Sequence, residues 1–345
     1  MRSPTGLLLS IFIVLTFSLS TIWSTIPSLA INQLTFTLFA VLVAVVISKR
    51  SPGIIKTVAV PAYIIAIISL VGTFILGQVT RGSVRWISIG PFNLQTSETA
   101  KSLVILAFAH FLNQPIRNPL SWTINRILLI LPILILVLIQ PDLGSTIIIS
   151  LIWFGMLLAS KTPRRIIVGL VALAAITLPL GYEFLQPYQR ERLTSFINPY
   201  ADPSGSGYNV IQSQIAIGSG KIIGKGVRQG TQSHLRFLPE RHTDFAFASF
   251  AEEFGFIGSL TLLLSIGFIL FWLIKKNNNP DTFSRLIAVG AFWQFFSQSF
   301  INIGMNLGMM PVTGITLPLF SYGGSSLLSF GITLGLVLAT TVKTD

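Results

Sequence analysis

Long apolar runs alternate with short polar connections along most of this 345-residue chain. A helix needs about 20 mostly apolar residues to cross the hydrocarbon core of a bilayer. Several of the runs are shorter than that at their apolar limits, so flanking polar residues must extend the helices. The pattern predicts an all-α, polytopic membrane protein with about ten transmembrane helices. The predicted spans are Leu7–Trp23, Leu34–Ile47, Val58–Leu76, Ser97–Leu112, Ile127–Ile139, Ser145–Leu158, Ile166–Gly181, Phe254–Ile274, Leu286–Leu307 and Ser326–Val342.

One long polar segment, about residues 182–243, separates the seventh predicted span from the eighth. It contains turn signals and a short amphipathic piece, Tyr208–Ile217, in which Ile211 and Ile215 share a helical face. This spacing is typical of a helix that lies in the membrane interface. Because we expect no soluble domain at either end, the organisation predicted is a single membrane domain over residues 1–345.

Composition supports the membrane class. Mean hydropathy is +0.76, and only 10% of the residues are charged, against roughly 25% in soluble proteins. The absence of cysteine excludes disulfides, thiol catalysis and cysteine metal sites. A cleaved signal peptide over the first apolar run is an alternative, but the continuing series of spans favours an uncleaved first helix.

The net charge of +12 lies mostly in short connections, which favours a topological role over nucleic-acid binding. One set of short connections holds only Arg81 and Arg85, with Lys101 just inside a span. Because basic residues accumulate in cytoplasmic loops, we expect both termini in the cytoplasm and the long polar segment outside. The thirteen basic residues on the predicted cytoplasmic side are Arg2, Lys49, Arg50, Lys56, Arg117, Arg126, Lys161, Arg164, Arg165, Lys275, Lys276, Arg285 and Lys343.

The densest charge cluster is Leu238–Gly258, at the junction of the long polar segment with the eighth span. We expect Thr243 to cap that helix and Asp244 to lie in its first turn, near the outer interface. Two interpretations of Asp244 stay open: it complements the helix dipole, or it is a general base whose pKa partial burial raises. For Glu252 and Glu253 we favour a buried polar contact between helices over direct catalysis.

A second candidate group opens the fourth span. Glu98 and Lys101 are three residues apart, so they share a helical face and can pair. Ser97 is a candidate cap for the same helix. A local ion pair packed against neighbouring helices is the alternative to a catalytic role, but charges at such a depth are costly unless they are used or satisfied. We expect these residues and Asp244 to converge on an outward-facing cavity.

Two further motifs lie in predicted turns. Gln140–Gly144 forms a tight outward turn, in which Asp142 is either functional or simply solvated. Leu317–Ser326 is rich in glycine and hydroxyl side chains, which allow helices to approach closely or to line a cavity.

Taken together, these motifs resemble the SEDS family (shape, elongation, division and sporulation). The resemblance covers nearly the whole chain in order, including the ten spans and the long outer loop. Gly230–Ser233 followed by Leu238–Asp244 is similar to the RodA branch rather than to the FtsW division branch. The motifs that carry the resemblance are Gln140–Gly144, Gly230–Ser233, Leu238–Gly258 and Asn302–Ser326.

The resemblance implies a peptidoglycan glycosyltransferase that polymerises lipid II on the outer face of the cytoplasmic membrane during elongation and rod-shape maintenance. It implies functional roles for Asp244, Glu98 and Lys101. One departure is Thr96, where the family usually has proline. The partners implied are lipid II, a class B penicillin-binding protein and membrane proteins of the elongation machinery, with no nucleic acid. A lipid II flippase and a non-enzymatic scaffold for a transpeptidase are the alternatives.

The chemistry needs a base for the acceptor hydroxyl and cations for the leaving diphosphate. We predict Asp244 as the base, and Lys101, Arg241, Arg85 or a divalent cation such as Mg or Mn to balance the leaving-group charge. No organic cofactor is expected, and no ligand set for a metal is legible. The predicted catalytic residues are Asp244, Glu98 and Lys101, and the predicted substrate-binding residues are Arg85, Arg241, His242 and Gln212.

Overall fold

The structure is a computed structural model that describes residues 5–80, 83–89, 92–116, 118–181, 183, 185–276 and 280–341. Within these residues the chain is mostly helical. In chain order the helices are α1 (Thr5–Thr25), α2 (Pro27–Ser48), α3 (Pro52–Thr57), α4 (Ala59–Leu76), α5 (Thr96–Leu112), α6 (Pro119–Ile139), α7 (Leu143–Ala159), α8 (Arg164–Gly181), α9 (Pro187–Ile197), α10 (Tyr208–Ser219), α11 (Thr231–His234), α12 (Ala246–Lys276), α13 (Thr282–Asn306) and α14 (Gly324–Thr341).

Each of the ten predicted spans coincides with one helix: α1, α2, α4 to α8, and α12 to α14. Six of them, α1, α2, α4, α6, α12 and α13, are long and apolar enough to cross a membrane by length and composition. Helices α7 and α14 are shorter apolar helices. The chain is therefore a multi-pass membrane protein. The predicted span end Val342, the loop boundary at Tyr182, and the basic residues Arg2, Arg81, Arg117 and Lys343 lie outside the described residues.

A small antiparallel sheet lies between α4 and α5, an element that the span pattern did not predict. Its strands are β1 (Gln78–Thr80), β2 (Ser83–Ile89) and β3 (Phe92–Gln95), in the order β1-β2-β3. Trp86 pairs with Gln95 on one side and with Gln78 on the other. In strands this short, the alternation of apolar and polar side chains covers only a few residues. It is hard to recognise between two long apolar runs. The sheet matters because β2 carries Arg85 and β3 leads directly into α5.

The described chain divides into two compact units, each assembled from separate stretches of sequence. Unit 1 comprises Met1–Leu34, Val168–Ile269 and Gln298–Gly323, and it contains Asp244. Unit 2 comprises Thr35–Ile167, Leu270–Ser297 and Gly324–Asp345, and it contains Glu98 and Lys101. The single domain over residues 1–345 and the convergence of these three side chains on one cavity stay predictions.

The core of unit 2 is α5, which packs against α4, α7 and α14. From Ala100 to Ala109 almost every side chain of α5 is buried. Glycines allow neighbouring backbones to approach closely. A Cβ at Gly331 of α14 would lie only 2.5 Å from the carbonyl oxygen of Ala40 in α2. Glu98 and Lys101 therefore lie on a helix whose side chains are mostly buried.

Candidate active site

A buried ion pair occupies the first turns of α5. Lys101 Nζ lies 2.6 Å from Glu98 Oε1, and the two residues are 0% and 4% exposed. Charges at such a depth are stable only when they are paired, because desolvation costs several kcal/mol per ion. The predicted i, i+3 pairing is therefore confirmed. The second carboxylate oxygen of Glu98 is also buried, and it has no hydrogen-bond partner among the described residues.

Asp142 is the N-cap residue of α7 and belongs to the same unit. Its carboxylate accepts hydrogen bonds from the Ser145 N–H at 3.0 Å, the Ser97 hydroxyl at 2.8 Å and the Gln95 amide at 3.2 Å. Asp142 is only 5% exposed, so the interpretation of a simply solvated side chain is wrong. Asp142 is a buried member of the polar cluster around the start of α5.

The electrostatics of Asp142 favour its charged form. Burial acts first and raises the pKa, because it disfavours the carboxylate. The opposing influences outweigh burial and leave the pKa of Asp142 below the ordinary aspartate value. In order of size they are the charge of Arg85, the N–H of Ser145, the charge of Lys101 and the hydroxyl of Ser97.

Arg85 projects from β2 onto the turn before α7. Its Nε donates a hydrogen bond of 2.9 Å to the carbonyl of Gln140, and a terminal N–H donates to the carbonyl of Pro141. The guanidinium thus anchors the turn that carries Asp142. The role of Arg85 in substrate binding stays a prediction, and its visible role is to fix the shape of this turn.

The start of α5 differs from the prediction. The helix begins at Thr96, its N-cap residue is Gln95, and Ser97 bonds Asp142 instead of capping the helix. Thr96 therefore occupies the first helical position, where proline is favoured because its missing N–H is not needed. The Thr96 hydroxyl lies 2.7 Å from that of Thr73 in α4. The departure from the family's proline thus adds a buried bond between the two helices.

In unit 1, Asp244 lies half-buried in the turn immediately before α12. Its backbone carbonyl accepts hydrogen bonds from the side-chain amides of Asn302 at 3.1 Å and Asn306 at 3.0 Å. Both donors project from α13. Two amide donors on one carbonyl hold the backbone from which the carboxylate extends.

The start of α12 also differs from the prediction. The helix begins at Ala246, so Asp244 precedes the first turn and Thr243 does not cap it. The Thr243 hydroxyl instead lies 3.1 Å from the Glu240 carboxylate. The cap comes from α13: Asn306 Oδ1 accepts the N–H of Ala248 at 3.0 Å. A cap supplied by a distant helix has no local sequence signal.

The segment between α13 and α14 forms a wall beside Asp244. The Ser321 hydroxyl donates to the carbonyl of Thr243 at 2.7 Å, and the Tyr322 N–H donates to that of His242 at 2.8 Å. A Cβ added at Gly314 would lie 3.5 Å from Asp244 Oδ2. Ser321 and Tyr322 of the Leu317–Ser326 motif therefore hold the turn that carries Asp244.

The predicted substrate-binding residues of unit 1 differ in their surroundings. The Arg241 side chain is half-buried, and burial followed by the charge of Arg236 lowers its pKa. The imidazole ring of His242 lies 5.7 Å from the ring of Tyr322. Gln212 is half-buried on α10. Arg241 and His242 adjoin Asp244 in sequence, and the binding roles of all three residues stay predictions.

The buried carboxylate of Glu252 contacts the short helix α11. It accepts hydrogen bonds from the backbone N–H groups of Gln232 and Ser233 at 2.9 and 3.1 Å. Lys225 Nζ lies 3.1 Å from the same carboxylate. Gln232 and Ser233 belong to α11, so Glu252 joins α12 to α11 and makes the predicted buried polar contact between helices.

Glu253 also makes the predicted contact between helices. Its carboxylate accepts a hydrogen bond from the hydroxyl of Ser24 in α1. It also lies 3.1 Å from His234 Nε2 and 3.3 Å from the N–H of Arg228. Glu253 thus joins α12, α1 and the loop before Asp244.

Sequence reasoning included Asn302 and Asn306 in the Asn302–Ser326 motif but gave neither residue a role in this site. They lie four residues apart in the apolar helix α13, and both are fully buried. Amides at that spacing share one helical face, and buried amides in a spanning helix need partners. That pattern could have identified them.

One family of known proteins matches nearly the whole chain. Residues 4–345 match the FtsW/RodA/SpoVE family of cell cycle proteins. The chain belongs to this family. It is 42% identical over 301 residues to peptidoglycan glycosyltransferase MrdB of Escherichia coli (strain K12), covering 86% of this chain and 81% of that protein. It is 40% identical over 271 residues to the probable peptidoglycan glycosyltransferase FtsW of Saccharophagus degradans, covering 76% and 68%.

Solved structures agree with these relatives. A chain from a study of structural coordination of polymerization and crosslinking by a peptidoglycan synthase complex aligns with a TM-score of 0.84 and 31% identity, covering 98% of this chain and 97% of that one. The rod shape determining protein RodA of Thermus thermophilus aligns with a TM-score of 0.72 and 29% identity, covering 97% and 95%. The predicted family, polytopic fold and enzyme class, a peptidoglycan glycosyltransferase, are confirmed.

Proposed function

We propose that this chain polymerises lipid II into glycan strands, with the carboxylate of Asp244 as general base, during elongation and rod-shape maintenance. The observation that carries the proposal is the fixed position of Asp244 at the start of a spanning helix. Asn302 and Asn306 hold its backbone, while its side chain remains half-exposed. A base must be both positioned and reachable by the hydroxyl that it deprotonates.

The reaction joins two lipid-linked saccharides. The acceptor sugar hydroxyl gives its proton to the Asp244 carboxylate as its oxygen bonds to the anomeric carbon of the donor. The bond from that carbon to the donor's diphosphate breaks, and the electron pair leaves with the undecaprenyl diphosphate. Arg241 adjoins the base in sequence and is our candidate for balancing the leaving-group charge within unit 1.

The proposal assigns Glu98 and Lys101 a role in binding the lipid-linked saccharide. One carboxylate oxygen of Glu98 accepts a hydrogen bond from Lys101. The other is buried and has no hydrogen-bond partner among the described residues. An unpartnered buried acceptor is costly unless a donor satisfies it. A hydroxyl or amide of the lipid-linked saccharide has the chemistry to supply that donor.

A divalent cation, Mg or Mn, is the proposed cofactor. The described residues contain no group of three or more His, Asp or Glu that could hold a metal ion. Mg²⁺, however, usually keeps several waters and binds one or two carboxylates together with substrate phosphates. Asp244 would supply the carboxylate, and the cation would stabilise charge on the leaving diphosphate.

The proposed orientation places both termini in the cytoplasm and Asp244 on the outer face. The excess of Lys and Arg in one set of short connections supports it. A class B penicillin-binding protein is the proposed partner, with membrane proteins of the elongation machinery. The similarity to a chain from a peptidoglycan synthase complex supports such a partnership.

The function is tested by measuring polymerisation and translocation of labelled lipid II in the same proteoliposomes, with and without the transpeptidase partner. We expect the protein to form glycan strands from lipid II in the leaflet that the N-terminal end of α12 enters. We expect no increase in the translocation of lipid II between leaflets. Robust translocation without polymerisation would overturn the proposal in favour of a flippase. Partner-dependent wall synthesis with no glycan product from this chain would favour a scaffold.

A further inference from the structure

Helix α12 is broken at Gly255, where the backbone adopts φ +65° and ψ −161°. The stretch Gly220–Arg228, which we call the break segment, docks against this point. The carbonyls of Glu252 and Glu253, which have lost helical partners, accept the N–H groups of Lys225 and Gly226, both at 3.0 Å. The break segment thus replaces part of the interrupted helical hydrogen bonding.

The pairing is reciprocal on the far side of the break. The N–H of Phe256 donates to the carbonyl of Lys221 at 2.9 Å, and that of Ile257 donates to the carbonyl of Ile222 at 3.1 Å. Four backbone groups freed by the break are therefore satisfied by the break segment. In hydrocarbon every backbone polar group must find such a partner, because no water is there to replace it.

Backbone packs directly on backbone at this joint. A Cβ at Gly224, which has φ +83°, would lie 2.1 Å from the carbonyl oxygen of Glu253. A Cβ at Gly255 would lie 2.2 Å from the nitrogen of Gly224. Only glycine fits positions that combine positive φ with such close approach. The joint is therefore closely packed and not a loose loop lying over the helix.

The outer side of the break segment is apolar. Ile222 and Ile223 are 67% and 78% exposed, and Val227 is also exposed. They continue the exposed surface of Phe256 and Ile257 on α12. Helix α12 is long and apolar enough to cross a membrane. A contiguous apolar patch of this kind marks a binding surface, and here it continues the face of a spanning helix.

Basic and aromatic residues border the patch. Lys221, Lys225 and Arg228 lie within the break segment. The Arg228 guanidinium lies 4.0 Å from the ring centroid of Trp23, near the end of α1. Tryptophan is enriched at membrane–water interfaces, and long basic side chains reach from apolar surfaces to lipid phosphates. This border gives the patch the charge pattern of a membrane interface.

We propose that the break segment inserts into the bilayer, with Ile222 and Ile223 among the acyl chains of the leaflet that α12 enters first. Lys221 and Arg228 then lie at the level of the lipid phosphates. The backbone N–H and carbonyl groups freed at the break in α12 form hydrogen bonds with those of the break segment. The occupant of the patch is membrane phospholipid. The inference concerns lipid contact alone and does not depend on the proposed polymerase activity.

The test uses the absence of cysteine in this chain. Ile223→Cys and, separately, Ile222→Cys carry a nitroxide label in proteoliposomes, and power saturation compares collisions with oxygen, which enriches in lipid, and with a water-soluble nickel chelate. Leu264→Cys on the exposed face of α12 is the lipid reference. Ser204→Cys in the exposed turn before α10 is the water reference.

We expect an oxygen-to-nickel accessibility ratio at Ile223 several-fold above that at Ser204 and closer to that at Leu264. A ratio at both Ile222 and Ile223 nearer to that at Ser204 would overturn the proposal. Because both isoleucine side chains are exposed, their replacement leaves the core unchanged. Labelling two adjacent positions separately means that one poorly folded variant cannot decide the outcome.

Discussion

The side-chain amide of Asn306 donates a hydrogen bond of 3.0 Å to the backbone carbonyl of Asp244. The oxygen of the same amide accepts the N–H of Ala248 at 3.0 Å. One buried side chain of α13 therefore links the turn that carries the proposed base to the first turn of α12. The position of the Asp244 carboxylate depends on this link.

Replacing Asn306 should separate positioning from folding. Asn306→Ala removes the cap, which costs about 1 kcal/mol of stability, and it frees the Asp244 backbone. Since a small displacement of a catalytic group can cost roughly 100-fold, polymerisation should fall by far more than the stability loss explains. Thermal unfolding in detergent and glycan synthesis in proteoliposomes measure the two effects. Near-normal synthesis by a destabilised variant would contradict the positioning role.

Gly314→Ala tests the wall beside Asp244. Gly314 has φ +73°, so alanine costs about 1 kcal/mol or more of backbone strain, and its methyl group would lie 3.5 Å from Asp244 Oδ2. We expect lower polymerisation at substrate saturation. Gly226→Ala is the control, because Gly226 has φ +97° and lies in the break segment. Equal loss of activity in both variants would mean that backbone strain alone, and not the new methyl group beside the carboxylate, accounts for the effect.

The Glu98–Lys101 pair should show strong coupling. Lys101→Met leaves a buried carboxylate unpaired, and breaking a buried pair typically costs about 3–5 kcal/mol. Adding Glu98→Gln removes the uncompensated charge, so the double variant should recover most of that stability. Polymerisation should not recover. Unfolding curves and glycan synthesis are measured for both single variants and the double variant as a double-mutant cycle. Restored polymerisation in the double variant would mean that the pair is only structural.

Asp142 should contribute stability that depends on pH. Its folded-state pKa lies below the ordinary value, so the contribution is fully present above the unfolded pKa of about 3.9 and is lost as pH falls through the folded value. The stability gap between the native chain and Asp142→Asn should therefore shrink as pH drops below about 4. Asp281→Asn is a more exposed control whose pKa is also lowered, and its gap should be smaller at neutral pH. An Asp142→Asn gap that is constant with pH would contradict the assignment.

The parts of the structure that depend on local pattern were predictable. Each of the ten predicted spans follows from the position of an apolar run along the chain, and the Glu98–Lys101 pair follows from helical spacing. These features depend on residues that are near each other in the sequence.

The errors and omissions arise from contacts between distant segments. Asn306, and not Thr243, caps α12, and Asp142 takes the hydroxyl of Ser97 that was expected to cap α5. The break at Gly255 is satisfied by a segment about 30 residues earlier. Local propensity carries no information about such partners, so the start of α12 and the burial of Asp142 required the structure.

The central claim is that the Asp244 carboxylate accepts the proton of the acceptor hydroxyl. The most direct measurement is the initial rate of glycan synthesis from lipid II by Asp244→Asn in proteoliposomes with the transpeptidase partner, beside Glu191→Gln on the exposed face of α9. General-base catalysis contributes roughly 10²–10⁴-fold. We expect a loss of that size for Asp244→Asn, with thermal unfolding unchanged and Glu191→Gln near the native rate. Glycan synthesis by a folded Asp244→Asn variant at close to the native rate would contradict it.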